Sequence, residues 1–155
     1  MYETTEDQAS PRIKQLSVFL ENRLGALLGV TRVLEEQDVH ICAVAISDAA
    51  DHAVVRLVVD RPTMAAAALG AAGYHLIESE LIGVALPANK VGGMRKVLSA
   101  LLTAELNVHY VYAVITPSGK SVHRAVIALH VEDMERAGHA LVASGLQLVS
   151  QDELI

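Results

Sequence analysis

One arrangement occurs twice in this chain and constrains its fold more than any other feature. The apolar, strand-like run Ile13 to Leu20 leads through Glu21-Asn22-Arg23-Leu24-Gly25 into a helix-like run from Leu24 to Gln37. Leu81 to Pro87 leads in the same way through Ala88-Asn89-Lys90-Val91-Gly92 into a second helical run. Both junctions read Asn, basic, aliphatic, Gly. Further along, Val39-His40 answers to Val108-His109, and Glu80-Leu81-Ile82 to Glu153-Leu154-Ile155. The chain is therefore an internal duplication whose boundary falls near Glu80 with almost no linker, and its halves must sit side by side.

Periodicity supplies the elements of each half. Leu16, Val18 and Leu20 alternate along the first strand, and Leu24, Leu27, Leu28, Thr31 and Leu34 fall at helical spacing. Val39 to Ser47 and Ala53 to Asp60 read as strands around the hairpin loop Asp48-Ala49-Ala50-Asp51. Pro62 opens an Ala-rich helix, where its missing N–H does no harm, and Gly73 ends it. Tyr74 to Glu80 is a further strand. The second half repeats the order. Leu81 to Pro87 is followed by a helix with the stripe Val91, Met94, Val97, Leu98 and Leu101. Strands Asn107 to Thr116 and Ser121 to Val131 flank the turn Pro117-Ser118-Gly119-Lys120. Glu132-Asp133 then opens a helix that Gly145 ends, and Leu146 to Leu154 closes the pattern. Two βαββαβ units predict an α+β fold of ferredoxin-like type, with antiparallel sheets and helices on one face. The opposite face is not polar. Ile41, Ala43 and Ala45 alternate with Cys42, Val44 and Ile46, and Tyr110, Tyr112 and Val114 with Val111, Ala113 and Ile115. Strands apolar on both sides need cover on both sides, so the sheets should stack or the chain should dimerise.

At 155 residues the chain could make one ordinary domain or two small ones. It is 52% hydrophobic but only 3% aromatic, so the core must be aliphatic. No apolar run reaches the roughly eighteen residues of a spanning helix. The acidic start, Met1 to Asp7, lacks the apolar segment of a secretory signal, and residues 1–12 are expected to be a disordered tail. A single cysteine, Cys42, allows no intrachain disulfide and suits a reducing cytoplasm. A net charge of −6 with scattered Lys and Arg argues against nucleic acid as a partner.

The junctions are the candidate sites. Asn22 and Asn89 sit where an N-cap is wanted, and a side-chain cap is their ordinary use. Gly25 and Gly92 let a backbone come close to a ligand. A helix N-terminus also attracts anions. The seven histidines do not suggest a metal: His123 and His130 fall on opposite faces of one strand, and no metal-binding spacing is present. Asp48, Asp51 and Ser118-Gly119 are explained as turn residues, and Cys42 as core. No acid–base or nucleophile constellation appears, so the chain is not expected to be an enzyme.

Leu20-Glu21-Asn22-Arg23-Leu24-Gly25-Ala26-Leu27, with Glu35 to Ile41, resembles the ACT domain. The first repeat is similar to the regulatory domain of D-3-phosphoglycerate dehydrogenase, whose loop reads Glu-Asn-Arg-Pro-Gly. The resemblance implies two ACT units, residues 13–80 and 81–155, with no catalytic domain attached; no cofactor is expected. It further implies an amino acid bound between ACT units in a cytoplasmic, homodimeric regulatory protein. Carried over by position, the ligand-binding residues would be Asn22, Arg23, Leu24, Gly25 and His40, with Asn89, Val91, Gly92 and His109 in the second copy. Leu24 and Val91 replace the usual Pro, and Leu20 stands where serine-binding members have a His. Walls of Leu20, Leu24, Ile41, Leu86 and Val91 would favour an apolar or aromatic ligand side chain over serine. The alternative is a regulatory subunit or repressor-like adaptor that works through a metabolic enzyme, as in glycine-cleavage-repressor proteins and acetolactate synthase small subunits.

Overall fold

Alternating aliphatic runs form seven strands and helically spaced runs form four helices among residues 11–87, 90–115 and 124–154, which the computed structural model describes. The expected tail lies, but for its last two residues, outside them. The first repeat contributes β1 (Ile13–Glu21), α1 (Ala26–Glu36), β2 (Ile41–Asp48), β3 (His52–Val59) and α2 (Pro62–Ala71). The strands expected on either side of Glu80 are a single strand of 13 residues, β4 (His75–Pro87). The second repeat continues with α3 (Gly93–Thr103), β5 (Val108–Val114), β6 (Arg124–Val131), α4 (Met134–Ala143) and β7 (Gln147–Val149).

The pairings are antiparallel, in the order β2-β3-β1-β4-β6-β5, with β7 also on β4. The start of β4 pairs with β1, from Phe19↔His75 to Ile13↔Leu81. Its second part pairs with β6 on one edge and β7 on the other, so that Val84 faces both Ile127 and Leu148. Gly83 sits at the changeover because a Cβ there would run into Ile13 Cδ1 and lie 3.1 Å from the Val149 carbonyl.

Three aliphatic clusters follow from this topology. Val30 and Leu34 of α1 and Ala65 and Leu69 of α2 pack on Leu16, Val18, Val55 and Leu57 of the first sheet half. Val97 and Leu101 of α3 and Leu141 of α4 pack on Ile82, Val84 and Leu129 of the second. The third cluster lies between the faces that carry no helices: Ile13, Cys42, Ala43, Val58, Leu81, Val114, Val126 and Ala128, with Tyr110 and Tyr112 against it. Stacking within one chain thus covers the Cys42, Ala43, Tyr110, Tyr112 and Val114 side of these strands, while Val44, Ile46 and Ile115 stay exposed. The Ile115 N–H donates to the Cys42 carbonyl at 2.7 Å, which brings the β2 edge to the end of β5 and curls the sheet on itself. Each fully buried Leu or Ile contributes about 1.5–3 kcal/mol, so many small aliphatic contacts can replace aromatic anchors.

Four local expectations need correction. On α1 the buried face is Val30 and Leu34; Leu24 is exposed because the helix begins only at Ala26, and Leu28 lies on the side of the helix turned to solvent. Val91 is likewise exposed ahead of α3. A bulge between Ile41 and Ala43 puts Cys42 and Ala43 both in the middle cluster and leaves Val44 and Ile46 half-exposed on the edge strand. The closing strand is three residues long, since Glu153 accepts from the N–H and hydroxyl of Ser150, both at 3.2 Å, and starts a 3-10 turn, Gln151–Leu154. The turn Pro117 to Lys120 and His123 lie outside the described residues.

Candidate functional site

The first junction does not use its asparagine as a cap. Gly25, at φ +83°, is itself the N-cap of α1, and no side chain caps the helix. Asn22 stands three residues too early to reach the second or third helical amide. Its Nδ2 instead donates to Asp48 Oδ1 at 3.1 Å, and its backbone N–H to the Asp51 carbonyl at 3.3 Å. Asn22 therefore ties the β1–α1 loop to the β2–β3 hairpin. Gly92, at φ +97°, caps α3 in the same left-handed conformation. Only glycine adopts it without the strain a Cβ would add.

The loop forms one wall of a cleft of about 600 Å³. Glu21, Arg23, Leu24 and Gly25 stand on this side, and the Arg23 guanidinium is 3.9 Å from the Glu21 carboxylate. The facing wall is the turn between α2 and β4, where Gly73 (φ +91°) reverses the chain and presents Tyr74 and His75. Phe19 joins the walls, its ring 5.4 Å from that of His75. A Cβ at Gly29 would stand 2.6 Å from the Tyr74 hydroxyl, so the tip of that ring would have to move to admit one. Arg23 N–H is taken by Glu21 O, Ala26 N–H by Arg23 O and Gly29 N–H by Gly25 O. The intervening first-turn amides of α1 have no cap, so this end of the cleft suits an anion.

The remaining candidates are dispersed. His40 is exposed ahead of β2, where its N–H donates to Asp60 Oδ1 at 2.9 Å. Exposed His109 is 5.3 Å from His130, and Ile41 and Leu86 pack on the two helix-side clusters. Gly92 caps α3 in the second repeat with Val91 just ahead of it, and Asn89 lies outside the described residues. The second repeat differs at the points that make the first cleft. Four residues after Gly92 stands Lys96, where the first repeat has Gly29, and after Gly145 stands Leu146, where the first has Tyr74. Lys96 Nζ lies 3.7 Å from where a Cβ on Gly145 would be, so its side chain crosses the corresponding gap. Phe19, Gly29, Tyr74 and His75 escaped sequence reasoning. The duplication itself carried the signal, as Gly29 and Tyr74 are positions where otherwise parallel repeats diverge.

A second polar group of residues lies between the sheets. Gln15 is wholly buried; its Nε2 donates to the Tyr110 hydroxyl at 2.7 Å and to Ser79 Oγ at 2.9 Å, and its Oε1 accepts from the Tyr112 hydroxyl at 2.7 Å. The Arg56 guanidinium lies 4.1 Å from the Tyr110 ring centre, and His130 stacks on that ring at 4.9 Å. Burial, then the neighbouring His109 and Arg56, hold the His130 imidazole below its ordinary pKa, and its Nδ1 is buried without a partner. Burial, then Tyr110, raises the Tyr112 phenol, against the opposing effect of Arg56. Burial and the Asp60 charge raise the Cys42 thiol, which makes it a poor nucleophile. Among the described residues no group of His, Cys, Asp or Glu gathers to hold a metal, and no helix is long and apolar enough to cross a membrane.

The family model of the ACT domain pair matches residues 12–155. Protein BT0572 from Bacteroides thetaiotaomicron is similar in structure at a TM-score of 0.84 and 27% identity, over 94% of this chain and 97% of that one. The ligand-free regulatory subunit of aspartate kinase from Thermus thermophilus matches at a TM-score of 0.62 and 16% identity, over 87% and 93%. The corresponding subunit from Thermus flavus gives 0.56 and 15%, over 88% and 94%. These last two likenesses show the fold. Among curated proteins no sequence matches.

Proposed function

Because the chain belongs to the ACT domain pair family, whose units serve as small-molecule regulatory domains, we propose that it binds a free amino acid in the first-repeat cleft. The two units are read as residues 13–80 and 81–155. The observation that carries the proposal is the pairing of opposite chemistries in one cleft: an uncapped helix start beside Arg23, facing Phe19, Tyr74 and His75. The ligand carboxylate would sit against the first-turn amides of α1 and the Arg23 guanidinium, and the ammonium against Glu21. Its side chain would lie along Leu20, Phe19 and His75, which suits an aliphatic or aromatic amino acid. The likeness of the Glu21–Gly25 loop to the dehydrogenase regulatory domain supports an effector at this junction. Asn22 shapes the loop from outside the cleft, and Lys96 reaches the matching turn of the second repeat at Gly145.

Calorimetry against the twenty amino acids tests this. Binding is expected for at least one apolar or aromatic member. Arg23→Ala should weaken it about tenfold or more, since a hydrogen bond to a charged group is worth about 1.5–3 kcal/mol. Binding that survives both Arg23→Ala and His75→Ala unchanged would remove the cleft as its site.

A regulatory subunit acting on a partner is the second reading, and one observation favours it. Leu24 and Val91 project fully into solvent at matching positions of the two repeats, and Leu102 of α3 is also largely exposed. A second copy of the chain or an enzyme would bury them. Sedimentation of the purified protein, with and without Leu24→Ser and Val91→Ser, distinguishes a homodimer from a monomer that waits for a partner.

A further inference from the structure

Gln15 is the one polar side chain wholly buried among the described residues, and it lies where the two repeats meet. Taking an amide out of water costs free energy that only its hydrogen bonds return, so an apolar residue would serve stability as well. A glutamine offers something that leucine does not: direction. Its donor must face Tyr110 and Ser79 while its acceptor faces Tyr112. Apolar contact is non-directional, whereas a hydrogen bond stretched by about 1 Å from 2.7 Å is lost. The two tyrosines belong to β5 of the second repeat, and Gln15 and Ser79 to β1 and β4 of the first.

The same two strands build the cleft. Gln15 is paired in register with Ser79, and four residues on, Phe19 is paired with His75. One two-stranded ribbon thus carries the cleft at one end and the inter-repeat bonds about 13 Å away at the other. We propose that Gln15, with the hydroxyls of Tyr110 and Tyr112, is the joint through which a change in the first-repeat cleft alters the seating of the second repeat. This rests on the cleft being the ligand site, and it names how occupancy would be transmitted. A ribbon displaced by the cleft carries the Ser79 bond with it but cannot keep both bonds to the tyrosines, so the joint has a bonded and a broken arrangement. That discreteness is what a coupling element needs. The Ile115–Cys42 backbone bond, the closure of the curled sheet, lies on the seam that this joint holds.

The test uses substitution in place of a ligand. Gly29→Ala pushes the Tyr74 hydroxyl out of its seat, and His75→Ala removes a cleft-wall ring from an exposed position. Amide exchange is followed by NMR at Ile115 on the seam and at Leu141 in the second-repeat core, in the full chain. Either cleft substitution should change the Ile115 rate threefold or more with Leu141 unchanged. In a Tyr112→Phe background the same substitutions should leave Ile115 within experimental error of Tyr112→Phe alone. The proposal is overturned if Ile115 does not respond, if it responds only in step with Leu141, or if its response persists without the Tyr112 hydroxyl. Should Gly29→Ala not fold, His75→Ala decides alone. A protein that binds no amino acid would be exposed by calorimetry, and that result leaves these rates untouched.

Discussion

Asn22 illustrates how a residue's chemistry can be right and its partner wrong. Its type and its place before a helix predict a cap, yet its amide reaches across the sheet end to Asp48. The reason is the length of the loop: Gly25 takes the cap position in a left-handed conformation that only glycine adopts freely. A double-mutant cycle follows from this. Asn22→Ala and Asp48→Ala should each cost under about 1 kcal/mol by urea denaturation, because the bond is exposed, and the double mutant should cost less than their sum. Full additivity would show that the two side chains do not meet. Gly29, Tyr74 and His75 were illegible at this scale, since a small residue, a half-buried ring and an exposed one acquire meaning only when the α2–β4 turn faces α1.

Most of the elements follow from periodicity, and their departures have local causes. The bulge at Ile41–Ala43 turns one residue of β2, so that alternation read straight through the strand assigns Val44 and Ile46 to a core they do not enter. The Gln15 network makes a second prediction. Gln15→Leu leaves two tyrosine hydroxyls and Ser79 without their partner and should cost about 1–3 kcal/mol by denaturant unfolding. Gln15→Leu combined with Tyr110→Phe and Tyr112→Phe should recover most of that loss, because neutral loss of both partners is far cheaper than stranding one. If the triple variant were as unstable as the single, packing rather than polar pairing would explain the site.

Across the whole molecule, pH acts on the seam between the repeats. His130 stacks on Tyr110, with Arg56 on the same ring and His109 beside it. Its folded pKa lies below the value of about 6.5 in the unfolded chain, so the unfolded state binds more protons between the two values. The contribution is therefore complete above about pH 6.5 and is lost as pH falls from there toward the folded value. Stability measured from pH 8 to 5 should decline on the acid side, and His130→Gln should flatten that decline. An identical pH dependence in the variant would place the acid sensitivity elsewhere.

The duplication, the βαββαβ order, the aliphatic core and the Gly25 and Gly92 junctions were all legible in the amino-acid order, because each depends on neighbours within a turn or a strand. The need for cover on both sheet faces was legible as well. The sequence left open whether a second sheet or a second chain would provide it. Only the tertiary structure decided that the halves stack on each other, that β4 runs unbroken between them, and that Asn22 binds Asp48. It also decided that the first repeat holds a cleft, and that in the second Lys96 reaches the turn at Gly145. The physical reason is range: periodicity reports which way a side chain faces, but not which distant surface it will meet.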